Sequence, residues 1–516
     1  MKKTADILSK IAYVISGLIL LYLSVNAIHY SFGMNLYYYE GISFIREGPD
    51  SRLKSMVVVV SAFLVLFGLA KLLFIKAKDD DKRNKRVLIL ALVFSGLILT
   101  GLIYYVVRVR FLIECDQYEV FSRALLFANG DYSPVSDYYF QMYKQQIGLA
   151  FFESLLLKFT SDHLIFQILN AFFIAGAVFF VYRLSHELFE DPYISFFALM
   201  LTVICFPLYY YVSFVYGDVF MIFASLFISW SAIKWVKTKK AVYPVLFLLT
   251  TLVMVPVRKN SLVFLLALAI MLMLNALKEK KSTALILAIF SIVLPLVFNG
   301  IVLSYYETKA GSKIKNEMPA ENWIAMGLYE AVNENCSVGV YNMYNELTYF
   351  NAGRNKEASK QASKAFINER IKFFKENPAE ARKFFRFKIL EQWAEPTFSS
   401  IDSTAGLHKM CWEEVRFTYD FHTLDNMSKA TNYLQSCVYI FALIYMIFAV
   451  FSKERPGSVL LPAAFIGGFL FSLMWEASGR YVFPYFILLI PLAAAAAGKS
   501  FNLCAGLLKK IAKKEN

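Results

Sequence analysis

Glu114 and Asp116 follow within a few residues of the end of an apolar run, in the stretch RVRFLIECDQYEVFSRALLFANGDYSPVSDYYFQMYKQQIGLAFFES. A carboxylate at the edge of a membrane is partly desolvated, and it serves as a proton acceptor if a cation or a hydrogen-bond donor steadies it. The plainer role for the pair is to answer Arg108 and Arg110 beside it. Three more polar groups stand at the ends of other apolar runs. Tyr216, Gly217 and Asp218 open one run, after the tyrosine-rich Tyr209 to Tyr211. Arg258, Lys259 and Asn260 form a very short turn, and Glu476, Gly479, Arg480 and Tyr481 form another. Basic side chains held at a membrane rim need an anionic partner, and a lipid phosphate or pyrophosphate is a natural one. The alternatives are ion pairs with Asp218 or Glu476, or snorkelling to headgroups.

These groups are spaced by the apolar stretches that make up most of the chain. Its 516 residues are 58% hydrophobic and 18% charged, with a mean hydropathy of +0.50; soluble domains carry about 25% charged residues. Repeated apolar runs of membrane-spanning length predict an all-α polytopic membrane protein and exclude disorder, a coiled coil and collagen. Spans are expected near residues 11–29, 55–75, 87–107, 163–182, 193–212, 217–233, 241–257, 260–277, 283–304, 432–452, 457–475 and 481–498, about twelve helices. Six cysteines without CxxC or Cys/His spacing exclude a disulfide scaffold and argue against structural zinc. The first 20 or so residues lack a small-residue cleavage site and are expected to stay as a helix.

The segment Ile147 to Phe159 is too short to cross: about 13 residues of helix rise some 20 Å against a hydrocarbon core of ~30 Å. It is expected to be re-entrant or interfacial. Both termini and the basic turns then face the cytoplasm. Residues 1–10, 76–86, 183–192, 234–240, 278–281, 453–455 and 499–516 hold 24 Lys and Arg against 10 Asp and Glu, a net +14 equal to that of the whole chain. A charge that in a soluble protein would point to nucleic acid is thus accounted for by the positive-inside tendency and contact with the lipid bilayer, with no nucleic-acid partner. The expected organisation is residues 1–86 as two additional N-terminal helices and 87–304 as the module with the first outer loop, 108–146. A mainly helical extracytoplasmic region at 305–431 follows, and 432–516 hold the last helices and a cytoplasmic tail. Amphipathic helices are expected at Ser363 to Lys375 and Pro378 to Trp393.

The ordered set resembles the GT-C fold glycosyltransferases. It comprises an acidic pair after an outward-going helix, an outer loop of interfacial helices, a second acid at the next outer loop, and a late Arg-Tyr before a Pro-containing helix, EASGRYVFPYFILLIPLAAA. Protein-mannosyltransferase and aminoarabinose-transferase-like bacterial membrane proteins are the nearest likeness, supported by YKQQIGLAFFESLLLKF and VYRLSHELFEDPYISFFALML. The likeness covers roughly Tyr104 to Tyr306 and Leu460 to Ala497; Glu114-Cys115-Asp116 departs from a plain adjacent acidic pair. It implies inverting transfer of a sugar from a polyprenyl-phosphate carrier to an extracytoplasmic acceptor: a surface glycan, teichoic acid or protein. Asp116 would be the general base, and Arg258, Lys259, Arg480 and Tyr481 would bind the departing phosphate. Glu114 and Asp218 would orient the acceptor or, with Asp116, hold Mg²⁺ or Mn²⁺. A transporter or flippase of lipid-linked glycans, and an oligosaccharide polymerase or ligase, are the competing classes. A transporter would carry charges in mid-helix, and no inverted pair of broken helices stands out.

In the outer region Trp323, Trp393 and Trp412, with Tyr341 and Tyr344, either stack on sugar rings or form that region's own core. Cys336 and Cys411 both fall outside and could pair. Cys115 has no nearby histidine to activate it and reads as a packing residue. His163 and His186 flank one helix at opposite ends and cannot share a site.

Overall fold

A computed structural model describes residues 2–37, 40–47, 50–74, 79–330, 338–401, 403–404, 421–452 and 459–512. Helix α1 (Lys2–His29) leads into an antiparallel hairpin, β1 (Tyr30–Tyr37) and β2 (Glu40–Glu47), with Tyr30 opposite Glu47 and Tyr37 opposite Glu40. Outside this hairpin the described chain is helical, as the sequence predicts. The strands carry Tyr, Phe and Ile, residues that suit a pleated surface. Then come α2 (Asp50–Phe74) and α3 (Asp80–Val109), the latter capped by Asp79, which accepts from the Lys82 N–H.

The segment after α3 holds α4 (Cys115–Ala128), the short α5 (Tyr138–Met142) and α6 (Ile147–Leu157). Next are α7 (Leu164–Phe189), α8 (Pro192–Val203), α9 (Phe206–Tyr210), α10 (Asp218–Thr238), α11 (Val242–Val257), α12 (Leu262–Glu279) and α13 (Ser282–Ala310). The large polar region supplies α14 (Ala320–Gly327), α15 (Tyr344–Asn351), α16 (Lys356–Glu376) and α17 (Pro378–Ile389), and a π-turn continues α17 to Ala394. The chain closes with α18 (Phe421–Phe451), α19 (Leu460–Met474) and α20 (Gly479–Ala512).

Among the described residues eight helices are long and apolar enough to cross a membrane: α1, α3, α7, α10, α12, α13, α18 and α20. A ninth span is the pair α8 and α9, bent by 54°. Pro207 in the first turn of α9 accounts for the break, since it lacks an N–H and its ring collides with the carbonyl four residues back. Three shorter apolar helices lie at Val60–Phe74, Val242–Val257 and Leu460–Met474. Each of the twelve expected stretches therefore falls on a helix, and the chain is a helical, multi-pass membrane protein. Helix α20 is the axis of the bundle, with 94% of its apolar window buried against 11% for α3. The small side chains Ala493 to Ala497 let neighbouring backbones approach it closely.

The ends of the helices sort onto two faces. At one, Arg110 pairs with Asp162, and His163 Nε2 and Gln167 Nε2 both lie 2.7 Å from the Phe111 carbonyl. The chain between residues 111 and 162 thus leaves and returns at the same end, and α6 does not cross. At the other face, Glu187 binds Lys234 and Lys237, Lys239 meets Glu279, and Lys278 meets Asp6. The basic turns are tied together there.

Region boundaries differ from those expected at both ends of the large polar segment. Helix α13 runs past residue 304 to Ala310, where Gly311 takes a left-handed φ of 62°. Helix α18 begins at Phe421 rather than 432. The expected amphipathic helices are present as α16 and α17; Asn355 caps the first, and Pro378 opens the second. The region docks on the turn between α19 and α20. Gly327 lies so close that an added Cβ would stand 2.6 Å from the Trp475 carbonyl oxygen. The Ala477 N–H donates to the Gly339 carbonyl at 2.7 Å, and the Lys388 ammonium donates to the Gly327 carbonyl.

Candidate functional site

A cavity of about 1050 Å³ lies between the ends of the apolar helices and the polar region. Its wall includes Asp116, Arg258, Lys259, Arg480 and Tyr481, so five of the residues singled out from the sequence meet in one place. Asp116 arrives on the first turn of α4. The preceding Cys115 is held at a φ of 50°, a conformation that side chains other than glycine rarely adopt. Cys115 is a free thiol exposed on the cavity wall rather than the packing residue expected.

Asp116 is exposed on the cavity wall rather than partly desolvated as expected. Tyrosine hydroxyls steady it. Tyr216 donates to Oδ2 at 3.0 Å and Tyr139 donates to Oδ1 at 3.3 Å. Tyr216 in turn accepts from Gln146 Nε2. Burial pushes the Tyr216 hydroxyl well above the ordinary tyrosine range, and Asp116 pushes it the same way against Arg258 and Arg480. Burial acts likewise on Tyr139, with Tyr216 and Asp116 adding to it. Both phenols therefore stay protonated and can only donate to the carboxylate.

The Tyr216 ring is the hub of the cationic side. The Arg258 guanidinium carbon lies 5.1 Å from its centroid and that of Arg480 lies 5.7 Å away. Tyr481 is a second shared ring, at 5.8 Å from Arg258 and 5.0 Å from Arg480. Cations over aromatic faces are held in place while their remaining N–H groups stay available. Arg480 Nη2 donates to the Tyr481 hydroxyl at 3.1 Å, which donates to Glu476 Oε2 at 3.2 Å. Burial raises the Glu476 carboxyl above the usual range, opposed by Arg480. Arg258 Nε and Asn260 Oδ1 are buried without a hydrogen-bond partner, so the turn that carries them has unused polar capacity.

Gly217 sets the position of Arg258. Its φ is 83°, and an added Cβ would meet Val257 Cγ1 at 2.6 Å and Arg258 Cγ at 3.2 Å. The same close approach brings Asp218 under the arginine, where Arg258 Nη2 and Asp218 Oδ1 are 2.5 Å apart and both side chains are buried. Asp218 does not line the cavity. It is the buried counter-ion of Arg258, which corrects its assignment as a second acid for acceptor or metal. Glu114 is also absent from the cavity wall and makes no capping bond at the start of α4. Among the described residues no three His, Cys, Asp or Glu side chains form a metal-binding group. The Mg²⁺ or Mn²⁺ set of Glu114, Asp116 and Asp218 is thus not assembled, because one carboxylate is spent on an arginine and another lies off the wall.

Of the outer aromatics, Trp323 and Tyr341 line the cavity. Trp393 does not: it is fully buried, with Nε1 donating to Ser472 Oγ at 2.9 Å and its ring edge-on to Phe465, which corrects its expected role in acceptor binding. Tyr344 packs on Phe366 and Tyr329. Trp412, Cys336 and Cys411 lie outside the described residues.

Part of the lining is apolar. Ile147 and Gly148 of α6, Val255 and Val257 of α11, Leu262 and Val263 at the start of α12, and Val302 and Leu303 of α13 extend the cavity between the helices. Near the N-terminal end of α6, Gly148 rests against the Pro256 backbone. Tyr139, Tyr143, Gln146, Tyr216 and Glu476 complete the site. Tyr216 and Glu476 stand in turns that the sequence singles out, whereas Tyr139, Tyr143 and Gln146 carry no such signal, because what makes them particular is a contact, Tyr139 with Asp116 and Gln146 with Tyr216. Comparison of the sequence with protein-family models and with curated proteins finds no match.

Proposed function

We propose that this chain is an inverting membrane glycosyltransferase of the GT-C type, taking a sugar from a polyprenyl-phosphate donor to an extracytoplasmic acceptor, a surface glycan, teichoic acid or protein. All twelve apolar helices span in this reading, both termini are cytoplasmic in the cell membrane, and α6 lies at the outer face. The observation that carries it is the cavity itself, where Asp116, held by two tyrosine hydroxyls, shares a wall with two aromatic-held arginines, and apolar side chains from several helices line the same space. A phosphate on a long apolar chain needs those two surroundings side by side.

The acceptor hydroxyl oxygen attacks the anomeric carbon as the bond from that carbon to the phosphate oxygen breaks. Asp116 takes the hydroxyl proton, held in position by Tyr216 and Tyr139. Charge grows on the departing phosphate, and Arg258, Arg480 and Lys259 meet it, with Tyr481 as a further donor. No step is routed through a metal ion.

A transporter would place charge along a path through mid-span. In the spanning helices and their turns the buried charged side chains Glu187, Asp218, Arg258 and Glu476 sit near helix ends or in turns, and buried Arg123 and Glu153 lie within α4 and α6, which do not span in this reading. That distribution favours the transferase over the flippase. The test is complementation of a deletion strain, read by mass spectrometry of its surface polymers. Wild type is expected to restore the missing sugar, and Asp116→Asn is expected to restore none at equal membrane expression. Sugar transfer retained by Asp116→Asn would overturn the assignment of the base.

A further inference from the structure

The outer half of the cavity differs from the half that holds the phosphate-binding arginines. Phe471, Trp475 and Trp323 form a ladder of rings: Phe471 to Trp475 at 5.4 Å and 23°, Trp475 to Trp323 at 5.9 Å and 5°. All three line the cavity, and both tryptophans are only partly buried. Beside the ladder, Glu346 accepts from the Tyr143 hydroxyl at 2.6 Å and the Tyr341 hydroxyl at 2.7 Å. Both bonds fall on Oε1, so the carboxylate is locked in orientation with Oε2 left over. Asn345 next to it is 1% exposed, lines the cavity, and its Oδ1 has no hydrogen-bond partner. A buried amide oxygen without a donor is costly to leave unpaired, a cost that a ligand hydroxyl would relieve.

We propose that this outer half is a saccharide-acceptor subsite, in which Trp323 and Trp475 carry the apolar face of a sugar ring while Glu346 and Asn345 accept hydrogen bonds from its hydroxyls. The proposal rests on the transferase reading and narrows its acceptor to a glycan. Flat apolar rings next to fixed hydrogen-bond acceptors suit a pyranose, which shows an axial C–H face and equatorial hydroxyl donors. An extended peptide acceptor would instead seek a free strand edge, and the described wall of the cavity is made of helices and turns. The subsite also connects to the base. Tyr143 stands edge-on to Trp323 at 6.1 Å and packs on Tyr139 at 5.2 Å, and Tyr139 holds Asp116. A sugar seated on the ladder is therefore two side chains from the carboxylate that would take its proton.

The test uses the full-length protein in lipid nanodiscs with three probes: a microarray of surface glycans, an array of Ser/Thr-containing peptides, and undecaprenyl phosphate. Wild type is expected to bind glycans and not peptides, and Trp323→Ala and Glu346→Gln to bind glycans about tenfold more weakly, the effect of about 1.4 kcal/mol. Undecaprenyl phosphate binding is expected to be unchanged in both variants, which also shows that they fold. Three results overturn the proposal with the transferase reading intact: undecaprenyl phosphate bound with no glycan captured, peptides captured in place of glycans, or glycan binding indifferent to both substitutions. Failure of wild type to bind undecaprenyl phosphate would instead strike at the transferase reading itself.

Discussion

The buried pair of Arg258 and Asp218 separates a structural from a catalytic arginine. Both side chains are below a tenth exposed and their charged atoms are 2.5 Å apart. Replacing Arg258 with Met leaves Asp218, whose Oδ2 already lacks a partner, as a buried carboxylate without its cation. Breaking such a pair from one side costs about 3–5 kcal/mol, whereas replacing both partners with apolar groups is often neutral. Arg258→Met alone is therefore expected to lower the thermal midpoint sharply. The double variant Arg258→Met/Asp218→Leu is expected to recover most of that loss. Transfer activity should part company with stability. Removing a donor aimed at charge that develops in the transition state costs about 10²–10³ in rate, and the double variant lacks the guanidinium as surely as the single one. The assay pairs thermal unfolding in nanodiscs with single-turnover sugar transfer at saturating donor. A double variant that regains both stability and transfer would falsify the catalytic role, and leave Arg258 as a structural partner of Asp218.

Two further outcomes follow from other parts of the molecule. Burial lowers the Lys388 ammonium from its ordinary range to about 7, with Glu476 opposing the shift. Between that value and the unfolded lysine's, near 10.4, the unfolded chain holds one more proton, so stability rises with pH by about 1.4 kcal/mol per unit. Wild type should thus gain roughly 2–3 kcal/mol from pH 6 to pH 9 through this group, and Lys388→Met should lose that slope. Identical pH profiles for the two proteins would refute it. The orientation is checked by labelling intact cells with a membrane-impermeant maleimide, after replacing the six native cysteines. Ser133→Cys, exposed in the segment between α3 and α7, should react, and Thr238→Cys, exposed at the end of α10, should not. The reverse pattern would invert the topology.

Periodicity and length made the helices legible, because a bilayer imposes long apolar runs that a sequence displays directly. Each apolar stretch is a helix, and the 13-residue segment was rightly left uncrossed. The hairpin at Tyr30–Tyr37 and Glu40–Glu47 was not legible, since its aromatic residues continue the apolar character of α1 without a strong alternation. Helix ends also ran longer than the apolar stretches: Tyr305 to Ala310 and Phe421 to Thr431 are polar enough to read as loop, yet they extend the helices above the membrane.

At the site, sequence brought forward the charges and missed what holds them. Asp116, Arg258, Lys259 and Arg480 stand out because a charge at an apolar boundary is costly and visible. Asp218 stands out for the same reason, and only the short turn at Gly217, with a φ of 83°, decides that its carboxylate meets Arg258 and not the cavity. Tyr139 and Tyr143 escape notice for the opposite reason, since a tyrosine at a membrane surface is ordinary. Tyr216 becomes particular only through its contacts, a hydroxyl on Asp116 and a ring beneath two guanidiniums. Those contacts bring three separate outer turns onto one side chain. The acid and the two cations therefore depend on a shared neutral residue for their relative placement, and the chemistry they could do together is a property of that residue's position as much as of their own charges.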